Sequence, residues 1–298
     1  MTATLGSYRQ LIEGNAMAVI TTSVHANGLE YIEVNSKLCY ARILLQGAQI
    51  DSFIPKGQAP LLWVSSADDY QPGNGIRGGI PVCWPWFGQH PNADWPQHGF
   101  ARNRQWHHFS TEVQDEIVTL KLVLPLAAAD RRFWPHNTRV ELHCRFGQQL
   151  RVSLVNINLD DHPVTLTQAL HSYFPIGDIH QLIAKGFKGA HYIEFGKGPY
   201  VQTEDNVHFE RETDRVYNGL GAVQQLHTPH GTIVVKREHS HSAVLWNPWV
   251  EKSRRLARFN DDDYLQMVCL EAANVLEDAV TLAPGERHEL TTEISWQA

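Results

Sequence analysis

Apolar and polar residues alternate with a period of two over several segments of the chain. In the segment 139–146 every second residue is apolar, and the apolar positions are Val140, Leu142, Cys144 and Phe146. The segment 118–124 shows the same alternation, and a further strand close to the C-terminus is marked by His288, Leu290, Thr292, Ile294 and Trp296. Successive side chains of a β-strand point to opposite faces of its sheet, so each segment is expected to form a strand with one buried face.

The segment 150–159 is equally apolar, but its alternation changes phase near Leu154 and Val155. This change is compatible either with a β-bulge or with a strand that is buried on both faces. Helical periods are few and short, and helices are expected only at 5–13, 127–133 and 251–258.

Turn sequences are spread evenly along the chain, for example at Asn27-Gly28, Pro72-Gly73 and Pro284-Gly285. Strands do not alternate with helices as they would in a parallel α/β sheet, and no repeat or Pro/Gly/Ser-rich linker divides the sequence. We therefore predict an all-β protein, built as one large antiparallel β-sandwich with a few short helices, in which residues 1–298 form a single domain.

Composition and charge limit the possible classes of function. The 298 residues are 43% hydrophobic and 10% aromatic, which is typical of a globular chain and not of a disordered one. Lys and Arg total 25 whereas Asp and Glu total 32, so the net charge is −7 and general attraction to nucleic acids or anionic membranes is not expected. The four cysteines are far apart in sequence and are expected to be free thiols, mostly in the core.

Secretion and membrane signals are not recognisable in the sequence. Arg9 and Glu13 interrupt the region where a signal peptide needs an unbroken apolar stretch, and no run of about 18 apolar residues occurs later. We therefore expect a soluble, cytoplasmic protein with no nucleic-acid or membrane partner. The sequence does not determine the oligomeric state, although a monomer is the favoured expectation.

The segment 71–106 is rich in Gly, Pro and Trp, a composition that suits neither a regular helix nor a central strand. It is expected to form a long, structured loop, and such loops often bind ligands. Its charged residues are Arg77, Arg102 and Arg104 against Asp94, in an otherwise acidic chain. Guanidinium groups suit bidentate binding of phosphate or carboxylate, but solvated arginines beside a Trp-rich hydrophobic cluster would have the same composition.

Motifs for metal binding and for a serine nucleophile are weak or missing. His239 and His241 would lie on one face of a strand, as paired ligands do in cupin-type barrels, but the following segment 242–248 supplies no carboxylate. H-E-x-x-H and G-x-S-x-G are absent, and Gly78-Gly79 lacks the spacing of a nucleotide-binding loop. We therefore expect no metal and no serine nucleophile.

Two ionisable residues remain as candidates for acid–base chemistry. His171 lies within ALHSYFPIGDI, and Glu271 lies within QMVCLEAAN. Both occupy strand-like apolar runs, where burial of an imidazole or a carboxylate is costly. Such residues either pair with other buried groups or serve catalysis.

Six sequence blocks, in order, resemble the hexose-6-phosphate mutarotases, also called glucose-6-phosphate 1-epimerases, of the aldose 1-epimerase superfamily. The blocks are IRGGIPVCWPWFG, PQHGFARN, ALHSYFPIGDI, ETDRVYNG, VLWNPW and VCLEAAN, and the similarity spans roughly residues 30–295. It implies the large antiparallel supersandwich of galactose mutarotase-like proteins, with the sugar bound in a cleft on one sheet. The activity that it implies is that of an isomerase in carbohydrate metabolism.

The resemblance also assigns functions to individual residues. It implies His171 as the general acid and Glu271 as the general base. The positions that bind sugar and phosphate correspond to Arg77, Gln97, His98, Arg102 and Asp214. Among these, His98 is compatible with two functions, binding of a ring hydroxyl or assistance at the ring oxygen.

The resemblance is incomplete between Trp249 and Tyr264. Leu256-Ala-Arg-Phe259 stands where the family pattern has a methionine–aspartate–methionine stretch, so the resemblance leaves the rim of the pocket and the substrate preference open. Aromatic residues leave another alternative open, because three of them can line the cleft or pack in the core, namely Trp84, Trp86 and Trp249.

The implied chemistry needs two proton transfers and no cofactor. Glu271 takes the proton of the C1 hydroxyl while His171 delivers one to the ring oxygen, and the two exchange roles when the ring closes. Arg77 and Arg102 would hold the 6-phosphate and orient C1. Two alternatives remain: a non-catalytic sugar-binding or regulatory module on the same fold, and a mutarotase for unphosphorylated aldoses. Retention of both ionisable residues disfavours the first alternative, and the arginine pair disfavours the second.

Overall fold

The computed structural model describes residues 18–297. They form 23 β-strands, one short α-helix and four 3-10 helices. The first eleven strands are β1 (Val19–Val24), β2 (Glu30–Asn35), β3 (Cys39–Leu44), β4 (Ile50–Pro55), β5 (Val82–Cys83), β6 (His107–Gln114), β7 (Ile117–Val123), β8 (Thr138–Phe146), β9 (Leu150–Asn158), β10 (Val164–Leu166) and β11 (Gln168–Leu170). The remaining strands are β12 (Tyr173–Pro175), β13 (Ile183–Lys185), β14 (His191–Glu194), β15 (Lys197–Val201), β16 (Asn206–Val207), β17 (Thr213–Asn218), β18 (Val223–Thr228), β19 (Gly231–Glu238), β20 (Ser242–Asn247), β21 (Met267–Asn274), β22 (Val280–Leu282) and β23 (Arg287–Trp296).

Two large sheets dominate the fold. One has nine strands in the order β16-β13-β18-β19-β23-β9-β8-β7-β6. The other has eight strands in the order β15-β14-β17-β20-β21-β11-β5, with β12 also paired to β21. Neighbouring strands in both sheets run antiparallel, which confirms the predicted all-β architecture. Strands β1–β4 form a third sheet, and β10 pairs with β22.

The core lies between the two large sheets. The nine-stranded sheet contributes side chains such as Leu120, Leu142 and Leu290, and the eight-stranded sheet contributes Val268 and Leu270 to the same hydrophobic cluster. Burial of these apolar side chains on the facing sides of two sheets is the arrangement of a β-sandwich.

The period-two segments form the strands that they predict. They correspond to β7, β8 and β23. In β8 the apolar positions 140, 142, 144 and 146 are buried, while the positions between them are more exposed. In β9, Leu154 and Val155 point to opposite faces and are both buried. The register with both neighbouring strands is unbroken, so double-sided burial explains the change of phase and the bulge alternative is wrong.

Strand β21 is also buried on both faces, and this determines where the site lies. Val268, Leu270 and Ala272 point into the core between the sheets. The alternate positions 267, 269 and 273 point outward and join a second hydrophobic cluster on the outer face of the eight-stranded sheet. Glu271 has the same parity, so the pleat of β21 directs it to that outer face.

Helical structure is short, as predicted, but differs in detail. The α-helix α1 spans Trp249–Ser253, beginning two residues before the predicted segment and ending well before Arg258, whose φ of 58° is not helical. A 3-10 helix at Ala128–Arg132 lies within the second predicted segment. The predicted helix at 5–13 lies outside the described residues. The other 3-10 helices are Ala101–Asn103, Asp263–Leu265 and Leu276–Asp278.

Other sequence expectations also have a structural outcome. All four cysteines are buried and free, as predicted. The segment 71–106 is mostly irregular and contains only β5 and one 3-10 helix. In residues 18–297, no helix is long and apolar enough to cross a membrane.

Candidate active site

A cleft of about 390 Å³ opens on the outer face of the eight-stranded sheet, a volume within the range typical of small-molecule sites. Strands β20 and β21 form its base with Val244, Trp246 and Glu271, and the long 71–106 loop forms one wall. All seven residues that the family resemblance assigns to the site line this cleft: Arg77, Gln97, His98, Arg102, His171, Asp214 and Glu271.

A carboxylate and an imidazole are in direct contact at the base of the cleft. Glu271 Oε1 lies 3.3 Å from His171 Nε2, and the glutamate side chain is only 1% exposed. His171 follows β11, and its backbone N–H donates to the carbonyl of Pro81 over 3.0 Å. Its ring stacks on Tyr173 with 4.9 Å between ring centroids. Strand pairing and stacking therefore hold both groups in place.

Burial shifts the pKa values of this pair in opposite directions. Removal from water raises the pKa of Glu271 well above its usual range, the nearby Asp214 charge raises it further, and Arg102 opposes both effects. Burial lowers the pKa of His171 well below its usual range, with further lowering by His98 and Arg102. A carboxylate with a raised pKa is a stronger proton acceptor, and an imidazolium with a lowered pKa is a stronger donor.

Each member of the pair also has a polar atom without a hydrogen-bond partner among the described residues. Glu271 Oε2 and His171 Nδ1 are buried and make no hydrogen bond within residues 18–297. Buried polar atoms are normally hydrogen-bonded, because an unpaired one costs free energy. Hydroxyl groups of a bound sugar are suitable partners for such atoms.

His98 is a neutral hydrogen-bonding group. Burial, Arg102 and Arg77 together lower its pKa to about 3. Its Nδ1 accepts the backbone N–H of Gly88 at 3.2 Å, so the ring proton lies on Nε2, which makes that nitrogen a donor. The residue has a φ of 63°, a strained value for a side chain with a Cβ, and such strain is often found at ligand sites.

The glycines beside the site residues allow backbone segments to approach closely. Gly79 has a φ of 63°, and a Cβ there would lie 2.1 Å from the carbonyl oxygen of Ile50. Gly99 has a φ of 72°, and a Cβ there would lie 2.0 Å from the carbonyl oxygen of Trp84. Only glycine fits both positions. The Gly78-Gly79 pair thus allows the chain next to Arg77 to pack closely against neighbouring backbone.

Arg77 and Arg102 carry positive charge into the cleft. The backbone N–H of Arg77 donates to Asp68 at 2.7 Å, whereas its side-chain Nε is buried and makes no hydrogen bond within residues 18–297. Arg102 lies in the 3-10 helix Ala101–Asn103, and its Nη2 donates to the carbonyl of Gln97 at 2.7 Å. The cleft therefore combines an acid–base pair with two cationic groups suited to an anion.

The sequence comparisons decide the family. The aldose 1-epimerase family model matches residues 30–295, nearly the whole chain. The chain belongs to the aldose 1-epimerase family. The chain is 36% identical over 276 residues to a protein of Cenchrus ciliaris named "Putative glucose-6-phosphate 1-epimerase", covering 87% of this chain and 82% of that protein. A protein of Escherichia coli (strain K12) with the same name is 34% identical over 254 residues, covering 84% of each chain.

Solved structures agree with this membership in the aldose 1-epimerase family. A crystal structure from Salmonella typhimurium described as a "putative mutarotase" superposes with a TM-score of 0.86 at 29% identity and covers 96% of each chain. A galactose mutarotase-like protein from Lactobacillus casei has a TM-score of 0.68 at 15% identity, covering 90% of this chain and 100% of the other, and shows the shared fold. The predictions of a galactose mutarotase-like sandwich and of an isomerase in this family are confirmed.

The cleft also contains a cation, Lys252, that the sequence did not predict. Lys252 of α1 lines the cleft, and its Nζ lies 2.8 Å from Glu212 and 3.9 Å from Asp214. Burial raises the pKa of Asp214 while Lys252 opposes that effect. No motif marks Lys252 in the sequence, because its place in the cleft depends on how α1 packs after β20.

The segment that departs from the aldose 1-epimerase pattern also reaches the cleft. Leu256 and Arg258 line it, so the expectation that this segment forms part of the rim is supported. Arg258 Nη1 lies 3.3 Å from Asp68 Oδ2 and donates to the carbonyl of Gly75 at 3.0 Å. Since Asp68 also binds the backbone of Arg77, this contact joins the divergent segment to the arginine loop.

The three tryptophans that could line the cleft or pack in the core do not line the cleft. Trp84 is fully buried and its Nε1 donates to Asn156, Trp86 donates to the carbonyl of Pro96, and Trp249 packs on Tyr264. These three residues are absent from the lining of the cleft. The tryptophan that does line it is Trp246 of β20, which lies 5.8 Å from Lys252 Nζ.

The expected strand placement of His239 and His241 is wrong. Strand β19 ends at Glu238 and β20 begins at Ser242, so both histidines lie in the turn between them. His239 has a φ of 55°, which is incompatible with an extended strand, and its ring nitrogen bonds to the carbonyl of Glu289. The two rings therefore lack the strand geometry on which the cupin comparison depended.

Proposed function

We propose that the protein interconverts the α and β anomers of a hexose 6-phosphate, most directly glucose 6-phosphate. The observation that carries the proposal is the buried contact of Glu271 with His171 in the cleft that also holds Arg77 and Arg102. The relatives named as glucose-6-phosphate 1-epimerases support the same substrate class.

The reaction opens and recloses the sugar ring. Glu271 accepts the proton of the C1 hydroxyl as the bond between C1 and the ring oxygen breaks, and His171 donates a proton to that oxygen. The open-chain aldehyde then rotates about C1–C2. Reclosure on the other carbonyl face reforms the C1–O bond, while His171 takes the proton of the attacking C5 hydroxyl and Glu271 returns its proton to the C1 oxygen. Concerted acid–base help of this kind contributes about 10²- to 10⁴-fold to a rate.

The reactive state of the pair holds one proton on His171, with Glu271 ionised. The positive charges of Arg102 and Arg77 lower the pKa of His171 in the free protein. A bound phosphate would offset these charges and so raise the pKa of His171, but it would also offset the Arg102 charge that lowers the pKa of Glu271, and burial remains the main cause of both shifts. The contribution of the remote phosphate is therefore to orient C1 beside the pair.

The other cleft residues are proposed to bind and orient the substrate. Arg77, whose Nε is buried without a partner in the described chain, and Arg102 bind the 6-phosphate. The Nε2–H of His98 donates to a sugar oxygen, while Asp214 and Gln97 accept or donate to ring hydroxyls. These contacts hold C1 beside Glu271 and His171.

The two alternative functions differ from this proposal in measurable ways. A non-catalytic module would have no need of a buried carboxylate in contact with an imidazole, because that pair is costly to bury. A mutarotase for unphosphorylated aldoses would leave the buried Arg77 Nε without a ligand. Both features favour the hexose-phosphate mutarotase.

Exchange NMR on an equilibrated glucose 6-phosphate solution tests the proposal, because the cross-peaks between the two anomeric protons report their interconversion directly. We expect the exchange rate to rise in proportion to protein concentration above the spontaneous rate. A free-glucose sample should show much weaker acceleration. An unchanged glucose 6-phosphate rate would refute the enzymatic activity, whereas equal acceleration of both sugars would favour the unphosphorylated aldose.

A further inference from the structure

Two histidines and an aspartate converge at a second place, outside the cleft. His136 precedes β8, while Asp160 and His162 follow β9. The pairing of Thr138 with Asn158 brings these two chain segments together. The candidate ligand atoms of the three side chains all lie within 4.8 Å of one another.

The distances approach those of a tetrahedral metal site. His136 Nδ1 lies 3.5 Å from Asp160 Oδ2, and His162 Nε2 lies 3.7 Å from the same oxygen. Ligands bound tetrahedrally at about 2.0–2.1 Å from a zinc ion are roughly 3.3–3.4 Å apart. Two of the three ligand pairs thus need only a small adjustment, and rotation of the exposed His162 ring can bring the third pair closer.

The aspartate at the centre of the cluster is held in place by the backbone. Its Oδ2 accepts the N–H of Asn137 at 2.9 Å, and its own N–H donates to Asn158 Oδ1 at 2.9 Å. The side chain is 17% exposed, so its carboxylate is accessible but restrained. A ligand that is already restrained loses little conformational entropy when it binds a metal.

Neighbouring side chains contact both histidines. His136 packs edge-on against Trp134 with 4.6 Å between ring centroids, and its buried Nδ1 makes no hydrogen bond within residues 18–297. His162 Nδ1 lies 3.0 Å from Asp161 Oδ1, which leaves Nε2 as the atom that faces Asp160. A carboxylate on the far nitrogen of a metal-binding histidine is a recurrent feature of metal sites, because it determines which ring nitrogen carries the proton.

We propose that His136, Asp160 and His162 bind a divalent first-row transition metal ion of the zinc type. Imidazole nitrogens with one carboxylate suit Zn²⁺ and its neighbours, whereas Mg²⁺ and Ca²⁺ prefer oxygen ligands alone. The exposure of His162 leaves the fourth coordination position to water. Three protein ligands and one water complete a tetrahedral set.

The location suggests a stabilising role. The ion would cross-link the start of β8 to the segment after β9 at an end of the nine-stranded sheet. Trp134, which supports His136, contacts Trp84 of the cleft-forming loop with 5.3 Å between ring centroids. None of the proposed ligands lines the cleft, so the ion leaves the proposed proton transfers unchanged.

Calorimetric titration of metal-free full-length protein with ZnCl₂ tests the site, together with the melting temperature of the same samples. We expect one Zn²⁺ per chain and a higher melting temperature. The variants His162→Ala and Asp160→Asn should bind at least about tenfold more weakly, since even loss of an outer-shell partner costs 10- to 100-fold. Asn keeps an acceptor for the backbone of Asn137, so this variant should fold.

The control variant is His191→Ala, which removes an exposed histidine of β14. It should bind Zn²⁺ like the wild type and gain the same thermal stabilisation, whereas MgCl₂ should stabilise none of the proteins. Absence of zinc binding by the wild type would overturn the proposal. Equal zinc affinity in wild type, His162→Ala and Asp160→Asn would also overturn it, because the ion would then be held elsewhere.

Discussion

Glu271 and His171 approach within 3.3 Å on the outer face of the eight-stranded sheet, although they come from different parts of the chain. Glu271 points outward because of its parity in β21, and His171 lies where β11 gives way to β12, both of which pair with β21. The sheet itself therefore positions the acid and the base. The long 71–106 loop contributes the anion-binding groups instead.

Removal of the cleft arginines should act selectively on the phosphorylated substrate. Arg77→Ala and Arg102→Ala should each lower kcat/KM for glucose 6-phosphate about tenfold to a hundredfold, since a charge-assisted hydrogen bond is worth about 1.5–3 kcal/mol. The slow reaction with free glucose should barely change. Arg→Lys variants should recover only part of the loss, because the ammonium keeps the charge but not the two-pronged geometry. Steady-state kinetics on both sugars measure this selectivity.

The choice of control arginine follows from the structure. Arg104 is near Arg102 in sequence, but its guanidinium forms a two-pronged contact with Asp130, which is 2% exposed. An alanine there would leave a buried carboxylate unpaired and destabilise the fold, so it is a poor control. Arg145→Ala, on an exposed position of β8, is the better one. Equal losses on glucose and glucose 6-phosphate in the cleft variants would mean that the arginines support the loop and not the phosphate.

His98 should make the protein sensitive to acid. Its pKa is about 3 in the folded protein and near 6.5 in an unfolded chain, so the unfolded state binds a proton first as the pH falls. The free energy of unfolding should therefore decrease as the pH falls below about 6.5 and continue to decrease towards pH 3.

The variant His98→Gln should lose less stability on acidification, because glutamine keeps a hydrogen-bond acceptor for Gly88 and does not titrate. Between pH 7 and pH 5 the wild type should lose about 1–2 kcal/mol more than this variant. Urea unfolding at the two pH values gives the comparison. An identical loss in both proteins would show that His98 does not have the low pKa inferred here.

Chelation should separate stability from activity. Both proton transfers are assigned to side chains, so exhaustive treatment with EDTA should leave the anomer exchange rate of glucose 6-phosphate unchanged. The same treatment should remove any thermal stabilisation gained through His136, Asp160 and His162. A loss of turnover that added zinc restores would place a metal in the reaction and contradict the acid–base account.

The sequence predicts those parts of the fold in which only one face of a strand is buried. The alternation in β8 is visible because positions 139 and 145 are exposed while 140 and 144 are buried. Strand β21 shows no such alternation, since all eight of its residues are buried. The sequence therefore does not show which residues of β21 point to the core and which point outward. The outward orientation of Glu271 becomes apparent only when the packing on both faces is known.

The residues of the candidate site can likewise be predicted only in part from the sequence. His171 and Glu271 attract attention because ionisable residues are costly within apolar strands, and the family blocks mark the cleft arginines. Lys252 and Arg258 carry no such signal, because they reach the cleft through the packing of α1 and the chain after it. Likewise, the period-two spacing of His239 and His241 is typical of a strand, and only the positive φ of His239 reveals the turn.

The acid–base pair is the central claim, and near-isosteric substitutions of its two members test it. His171→Asn and Glu271→Gln change packing little and remove the capacity for proton transfer. Each should therefore fold normally and lose most of the activity, by about 10²- to 10⁴-fold. Circular dichroism and thermal unfolding establish whether the variants are folded.

The decisive measurement is the anomer exchange rate of glucose 6-phosphate, determined by NMR for wild type, His171→Asn and Glu271→Gln at equal concentration. The spontaneous rate without protein provides the baseline. The account predicts strong acceleration by the wild type and rates close to the baseline for both folded variants. Exchange near the wild-type rate in either folded variant would contradict the assignment of the two proton transfers to Glu271 and His171.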